Sequence, residues 1–378
     1  MEQKNNQSKK GMRIVIAGML IVFIVGCFFG GRQWLLPART RSQTAAKRHA
    51  LSQSIYTADS QSGYARLTAS EQIAYAQFLK AAETHLSSVA LSGIRLDVEA
   101  VKRVWQAFYQ DNPQIFWVSG YRYTYGGANQ IVSGVQLVYA YTQQEAQAKQ
   151  RQIDTGAKRM LAQIPKGADD YHTVLAVHDI IVKDTRYGSG SKDNQNIVSV
   201  LVDHESVCAG YSRAMQYLLK KVGIYCTVVD GRVAGRGAHE WNLVKMDGDY
   251  YFVDVTWDDP TFEGEAPSDY VDHAFFGITT RALLKNHTID APLGEIATCE
   301  ATRDNYFVRE QRDYHAGESG KFLRAVLMAR YRGEKIFSAR FASADDMQKA
   351  VSRLRWLRLP GLRYVKREEM HVLTLLMP

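Results

Sequence analysis

The chain has 378 residues, 46% of them hydrophobic, and a formal net charge of +8; it can bury a sizeable core in two or three domains, and it is too apolar for a disordered tail. Its Lys and Arg are spread along the whole length, without zinc-finger spacing, an aromatic RNA-binding signature or a concentrated basic run outside the N-terminus. That pattern argues against nucleic acid as a partner and weakly for a nearby anionic surface.

Ile14 to Gly31 form an uncharged, mostly apolar run of 18 behind Lys9, Lys10 and Arg13, about the minimum for a membrane span. Ile24-Val25-Gly26-Cys27 resembles a lipobox, so processing as a lipoprotein at Cys27 is the alternative. Phe28 and Phe29 continue the apolar run, and Trp34 and Leu35 follow at interfacial depth. This favours an uncleaved single-pass anchor over residues 14–36, with residues 1–13 cytoplasmic and a basic, polar stalk at 37–50. Either reading places the rest of the chain outside the cytoplasm, at the cell envelope.

Helical spacing over Thr68 to Val89 and Val98 to Tyr109, then strand-like segments at Phe116 to Tyr125 and Gln130 to Tyr141, predict an N-terminal α+β domain at 51–150. Asp111-Asn112-Pro113 breaks the chain between helices and strands. A catalytic domain follows at 151–299. A helix from Gln144 to Ile164 crosses its start and leads into a second at Asp169 to Thr185; His178 lies on the apolar stripe of the second and reads as a hydrogen-bonded core residue. Residues 188–196 read as a surface loop. In the last segment, 300–378, strands are expected at Phe322 to Tyr331, Lys335 to Phe341 and Glu369 to Leu376, with a helix from Asp345 to Trp356, a small α+β appendage. Of the cysteines outside the apolar run, Cys208, Cys226 and Cys299 cannot all pair; Cys226 with Cys299 is the bridge that would leave Cys208 as the odd thiol.

Cys208 heads an apolar-periodic segment that runs from Tyr211 to Val222 and stops at Gly223, so it stands at a helix N-terminus, where unpaired N–H groups and the dipole stabilise a thiolate. Ala209 and Gly210 beside it leave room for a substrate acyl group. Ala238 to Val244 and Tyr250 to Val255 flank Asp247-Gly248, a hairpin signal. With those two residues as the turn, facing residues have numbers summing to 495, and His239 and Asp254 become diagonal neighbours on one face. Asp254 would then hold the imidazole of His239, and His239 would take the thiol proton as Cys208 attacks a carbonyl. The Cys208 N–H is one oxyanion donor; Tyr187 and Gln195 are candidates for the second. Trp241, with Trp257, lines the cleft or packs behind it.

The run VCAGYSRAMQYLLKKVGI, then HEWNLV, then DGDYYFVDVTWDDP resembles the transglutaminase-like core of bacterial proteins, in the order Cys, His, Asp. The resemblance spans roughly Tyr171 to His287, including His178-Asp179-Ile180 and Asp272-His273-Ala274-Phe275-Phe276. It implies a papain-like α+β fold, a nucleophile helix packed on an antiparallel sheet, and thiol chemistry on amide bonds; at the cell surface the expected partner is a protein or peptide substrate, cell-wall peptide being one candidate. Relatives include cross-linkers, deamidases, peptidases and inactive remnants, so peptidase and transamidase both stay open, and a noncatalytic binding or scaffold module is the alternative. Glu240 replaces a commoner alanine, on the strand face opposite His239. No cofactor is expected. A metal held by His172, His178, Asp179 or His204 is disfavoured because the spacing matches no common zinc signature, and the absence of an EF-hand-like loop gives no reason to assign calcium.

Overall fold

The computed structural model of the chain describes residues 15–16, 59–259 and 270–378. The expected membrane helix at 14–36, the lipobox at Cys27 and the stalk at 37–50 lie outside this set, except for Val15–Ile16, which form a two-residue strand rather than helix. Among the described residues no helix is long and apolar enough to cross a membrane. The chain divides into two compact units, Met1–Gln152 with Pro292–Gly294, and Ile153–Ala291 with Glu295–Pro378.

In the first unit, α1 (Ala69–Glu83) starts with a reciprocal cap: the Glu71 N–H donates to the Thr68 hydroxyl, and the Thr68 N–H donates to the Glu71 carboxylate. Asp97 caps α2 (Val98–Asp111) by accepting from the Ala100 N–H at 2.7 Å. Their apolar faces meet the antiparallel hairpin β1 (Val118–Gly126) and β2 (Ile131–Tyr139) around Phe78, Val104, Phe108 and Tyr121, all buried. The helix α3 (Gln143–Leu161) carries the chain across the unit boundary.

The second unit opens with α4 (Asp170–Asp184) and α5 (Cys208–Val222). Gly223, at φ 88°, ends α5 in the left-handed conformation that glycine adopts without steric cost. A five-stranded sheet follows, built from β3 (Cys226–Val233), β4 (Gly237–Met246), β5 (Asp249–Val253), β6 (Phe276–Ile278) and β7 (His287–Ile289) in the order β6-β5-β4-β3-β7, with each neighbouring pair antiparallel. Asp247 and Gly248 both have positive φ, 48° and 95°, as a two-residue primed turn requires. The turn fixes the register at Met246↔Asp249 and Asn242↔Val253, the pairing expected from the sequence. Val229, Trp241, Leu243, Phe252, Phe275 and Leu283 form the core beneath one face.

The last part of the unit holds α6 (Ser319–Tyr331), β8 (Ile336–Phe341), α7 (Ala344–Trp356), β9 (Arg363–Arg367) and β10 (Val372–Leu376). Its strands order as Asp313–Tyr314, β8, β10, β9. Met370 and Val372 join the core of the preceding sheet, and the buried Arg367 donates to Asp272 at 3.0 Å. The segment from Phe322 to Tyr331 is helix, not the expected strand: Phe322, Val326 and Ala329 are its buried residues, a four-then-three spacing that only a helix brings to one face. The strand β9 was not anticipated. Cys226 and Cys299 are both buried and neither is in a disulfide, so the bridge does not form.

Candidate active site

Cys208 is half-buried at the first position of α5. The residue before it, Val207, has no side-chain group to cap the helix, and its carbonyl accepts from the Gly210 and Tyr211 N–H groups. The N–H groups at the very start of a helix lack intrahelical acceptors, so this end suits a developing oxyanion.

The start of α5 is set by packing. Ser199 and Ser206 hydroxyls sit 2.6 Å apart, and a Cβ added at Gly210 would meet them at 2.5 and 1.9 Å and the Asn194 carbonyl oxygen at 3.0 Å. Gly210 is therefore small to let the helix seat against these serines, and not to make room for an acyl group; Ala209 beside it is buried too. Gly210→Ala should cost about 1–3 kcal/mol through overpacking, read as a lower urea midpoint, with Gly223→Ala on the open side as the comparison for backbone strain alone.

On the sheet, His239 and Asp254 meet as the register requires: the His239 Nε2 donates to Asp254 Oδ2 at 2.7 Å. The His239 ring also lies within hydrogen-bonding reach of the Cys208 thiol. With Nε2 committed to the carboxylate, Nδ1 is the nitrogen left for the thiol proton. Burial opposes charge on the ring, but Asp254 and Cys208 outweigh it and push His239 up to about 10. Burial likewise opposes charge on Asp254, yet His239 and His287 hold the carboxyl well below the usual carboxylate range. Asp254 Oδ1 accepts from the Trp257 N–H at 3.1 Å, which fixes the carboxylate's second oxygen.

His287 is the site residue that the sequence did not announce. It comes from the short edge strand β7, where it pairs with Val233, and its Nε2 faces Asp254 Oδ2 at 3.2 Å. One carboxylate oxygen thus serves two imidazoles. Trp241 is fully buried, stacked on His239 at 5.8 Å and edge-on to His287 at 5.0 Å; it forms the wall behind the base and does not line an open cleft. Gly231, paired with His239, admits this arrangement, since a Cβ there would strike the Trp241 ring at 2.5 Å.

Tyr187 belongs to a two-residue strand paired with Ser206. Burial, with Cys208 and Asp254 nearby, pushes its phenol up to about 12, so it stays a neutral O–H donor near the nucleophile. Gln195 is half-buried beside Asn194, whose carbonyl accepts from the Val207 N–H and the Ser206 hydroxyl; its loop is fastened one residue from Cys208. Glu240 points away from His239, as alternation predicts. Its buried carboxylate accepts from the Ser212 hydroxyl and from Arg213, which is fully buried. The Asn242 amide donates to the Ser212 carbonyl at 2.9 Å. These bonds pin α5 to β4.

A second network stands apart from the nucleophile. His178 is buried with Nδ1 3.0 Å from Asp179 and Nε2 3.2 Å from Asp258, and His273 Nε2 lies 2.8 Å from Asp179. His178, Asp179 and His273 gather one ligand atom each within 4.8 Å, as do His239, Asp254 and His287. In both groups ring nitrogens already face carboxylates, so hydrogen bonding accounts for the clustering. Burial works against a charged His178, but the two carboxylates raise it to about 9. A raised folded value stabilises the protein fully below the ordinary value of 6.5, and that contribution is lost as pH climbs to about 9, at about 1.4 kcal/mol per pH unit for one proton. Thermal unfolding across this window should show a falling Tm, with a slope shallower by one proton in His178→Gln.

The family model of the transglutaminase-like superfamily matches residues 158–255, which include Cys208, His239 and Asp254. No curated protein matches the chain. Among solved structures, a TGase aligns at 14% identity over 43% of this chain and 50% of its own, with a TM-score of 0.28. A provisionally named cysteine protease from Cytophaga hutchinsonii aligns at 22% over 40% and 56%, with a TM-score of 0.26. A provisionally named protease from Parabacteroides distasonis aligns at 10% over 34% and 29%, with a TM-score of 0.23. The chain thus spans about half, or less, of the length of these structures. From residue 158 to 255 this chain carries a transglutaminase-like domain.

Proposed function

We propose that the chain is a Cys-His-Asp thiol enzyme that transfers the acyl group of a peptide or protein amide, as a peptidase or a transamidase. The observation that carries this reading is the bonding of His239: one edge of the ring is tied to Asp254 at 2.7 Å and the ring reaches the thiol of a helix-initiating cysteine. The family match supports a thiol enzyme in general. In the proposed reaction the Cys208 thiol gives its proton to His239 Nδ1 and its sulfur attacks the amide carbonyl. The oxyanion is held by the Cys208 N–H, with Tyr187 or Gln195 as the second donor. The C–N bond breaks as His239 returns the proton to the leaving amine, which leaves a thioester on Cys208. Water or a second amine then attacks that thioester with His239 as base, and Asp254 steadies the imidazolium at each stage.

The apolar N-terminal run supports a second part of the proposal, that the domain is held at the outer face of the cell membrane and works on envelope peptides. The test is to incubate the full chain with a glutamine-containing protein and a labelled primary amine, beside Cys208→Ala. Label incorporation identifies a transamidase and cleavage products a peptidase; neither, in a folded preparation, points to a binding module instead.

A further inference from the structure

Charge is segregated along the chain. Residues 319–378 carry 13 Lys and Arg against 5 Asp and Glu, whereas residues 59–318 carry 25 against 33. The basic residues are about twice as dense in the C-terminal segment and the acidic ones somewhat sparser, so the lobe built on β8, β9 and β10 is left with the positive excess.

Topology collects part of that excess at one end of the lobe. Ile336 and Arg363 both pair with Leu376, so β8 and β9 begin at the same end of their sheet. The helix α6 leads into β8 and α7 into β9, which puts the C-terminal ends of both helices there as well. Arg330 donates to the Pro360 carbonyl at 3.3 Å, tying the two connections together. Tyr331 ends α6 and Trp356 ends α7, and the two rings are 87% and 83% exposed. Lys335, Arg355, Arg358 and Arg363 are exposed around them.

Cations in a last helical turn complement the helix dipole, which accounts for Arg355. It does not account for Lys335, Arg358 and Arg363, which lie outside the helices, nor for two large aromatic rings left in water. Trp and Tyr with an apolar body and a polar tip seat at the headgroup level of a bilayer, and neighbouring Lys and Arg are drawn to anionic lipid. Leu327 and Met328, one turn before Tyr331, are also exposed, at 45% and 47%, and extend the apolar surface. A soluble polyanion would satisfy the cations and leave these rings and side chains unexplained.

We infer that this end of the C-terminal lobe docks on an anionic lipid surface, with Trp356 and Tyr331 entering the headgroup layer and the surrounding cations meeting lipid phosphates. The inference does not depend on the chemistry assigned to Cys208. It is tested with the full chain on vesicles of phosphatidylcholine with and without phosphatidylglycerol, the acyl chains brominated to quench tryptophan. Comparison with Trp356→Phe isolates Trp356 from the other tryptophans, and an unchanged unfolding midpoint confirms that each variant folds. Quenching that depends on Trp356 should appear on the anionic vesicles, weaken at high salt and vanish on neutral ones. Arg355→Gln, Arg358→Gln and Arg363→Gln should each lower the ratio of docked to undocked lobe about fivefold. Equal quenching of the wild type and Trp356→Phe on anionic vesicles would overturn the inference. So would equal Trp356 quenching on neutral vesicles, or a Trp356 response to inorganic polyphosphate with none to lipid.

Discussion

Replacing Cys208 with Ala should lower turnover of an amide substrate by on the order of 10⁴-fold or more, because no other group in the site can carry the acyl intermediate. His239→Ala should cost nearly as much, and the double variant little more than either single one, since residues that act as one unit are not additive. Asp254→Asn should be damaging for a different reason: the amide keeps the shape but loses the charge that, despite burial, raises His239 to about 10. Measured with whichever substrate the amine-incorporation experiment identifies, all three should leave the protein folded. A variant lacking Cys208 that keeps full turnover would remove the enzyme reading and leave a binding module.

Glu240→Ala carries the largest stability effect expected here, about 3–5 kcal/mol, which for a unit of this size lowers Tm by on the order of 10 °C. The cause is Arg213, fully buried on α5, which would lose the carboxylate facing it at 3.3 Å. Replacing both members, as Arg213→Met with Glu240→Leu, should be less harmful than Glu240→Ala alone, because a buried pair removed together leaves no stranded charge. Glu240 lies on the strand face opposite His239, so turnover per folded molecule should change little. Thermal and urea unfolding of the three variants check the ordering.

The legible part of the site was legible for local reasons. Apolar spacing after Cys208 and the stop at Gly223 define α5 from its own residues, and the Asp247-Gly248 turn fixes the register that brings His239 within 2.7 Å of Asp254. A two-residue turn leaves no freedom in that pairing, so arithmetic on residue numbers was enough. His287 was illegible because β7 is only three residues long and joins the sheet edge 33 residues after Asp254; no periodicity marks it. The role of Gly210 was misread for a related reason, since the serines that demand its smallness lie earlier in the chain and come together only on folding. In α6 the dense apolar run from Phe322 to Tyr331 hides its period, and only burial shows which residues face inward. Charge segregation escapes a reading that looks for a basic run, because the 13 Lys and Arg of residues 319–378 are interleaved with other residues, and the meeting of two helix ends around Tyr331 and Trp356 needed the strand order.

Brief alkylation of the native chain with iodoacetamide, followed by mass spectrometric mapping, tests most directly whether His239 activates Cys208. Cys208 should be modified while the buried Cys226 and Cys299 stay intact, and its rate should fall about tenfold or more in His239→Ala. Labelling of Cys208 at the same rate with and without the His239 imidazole would contradict the account.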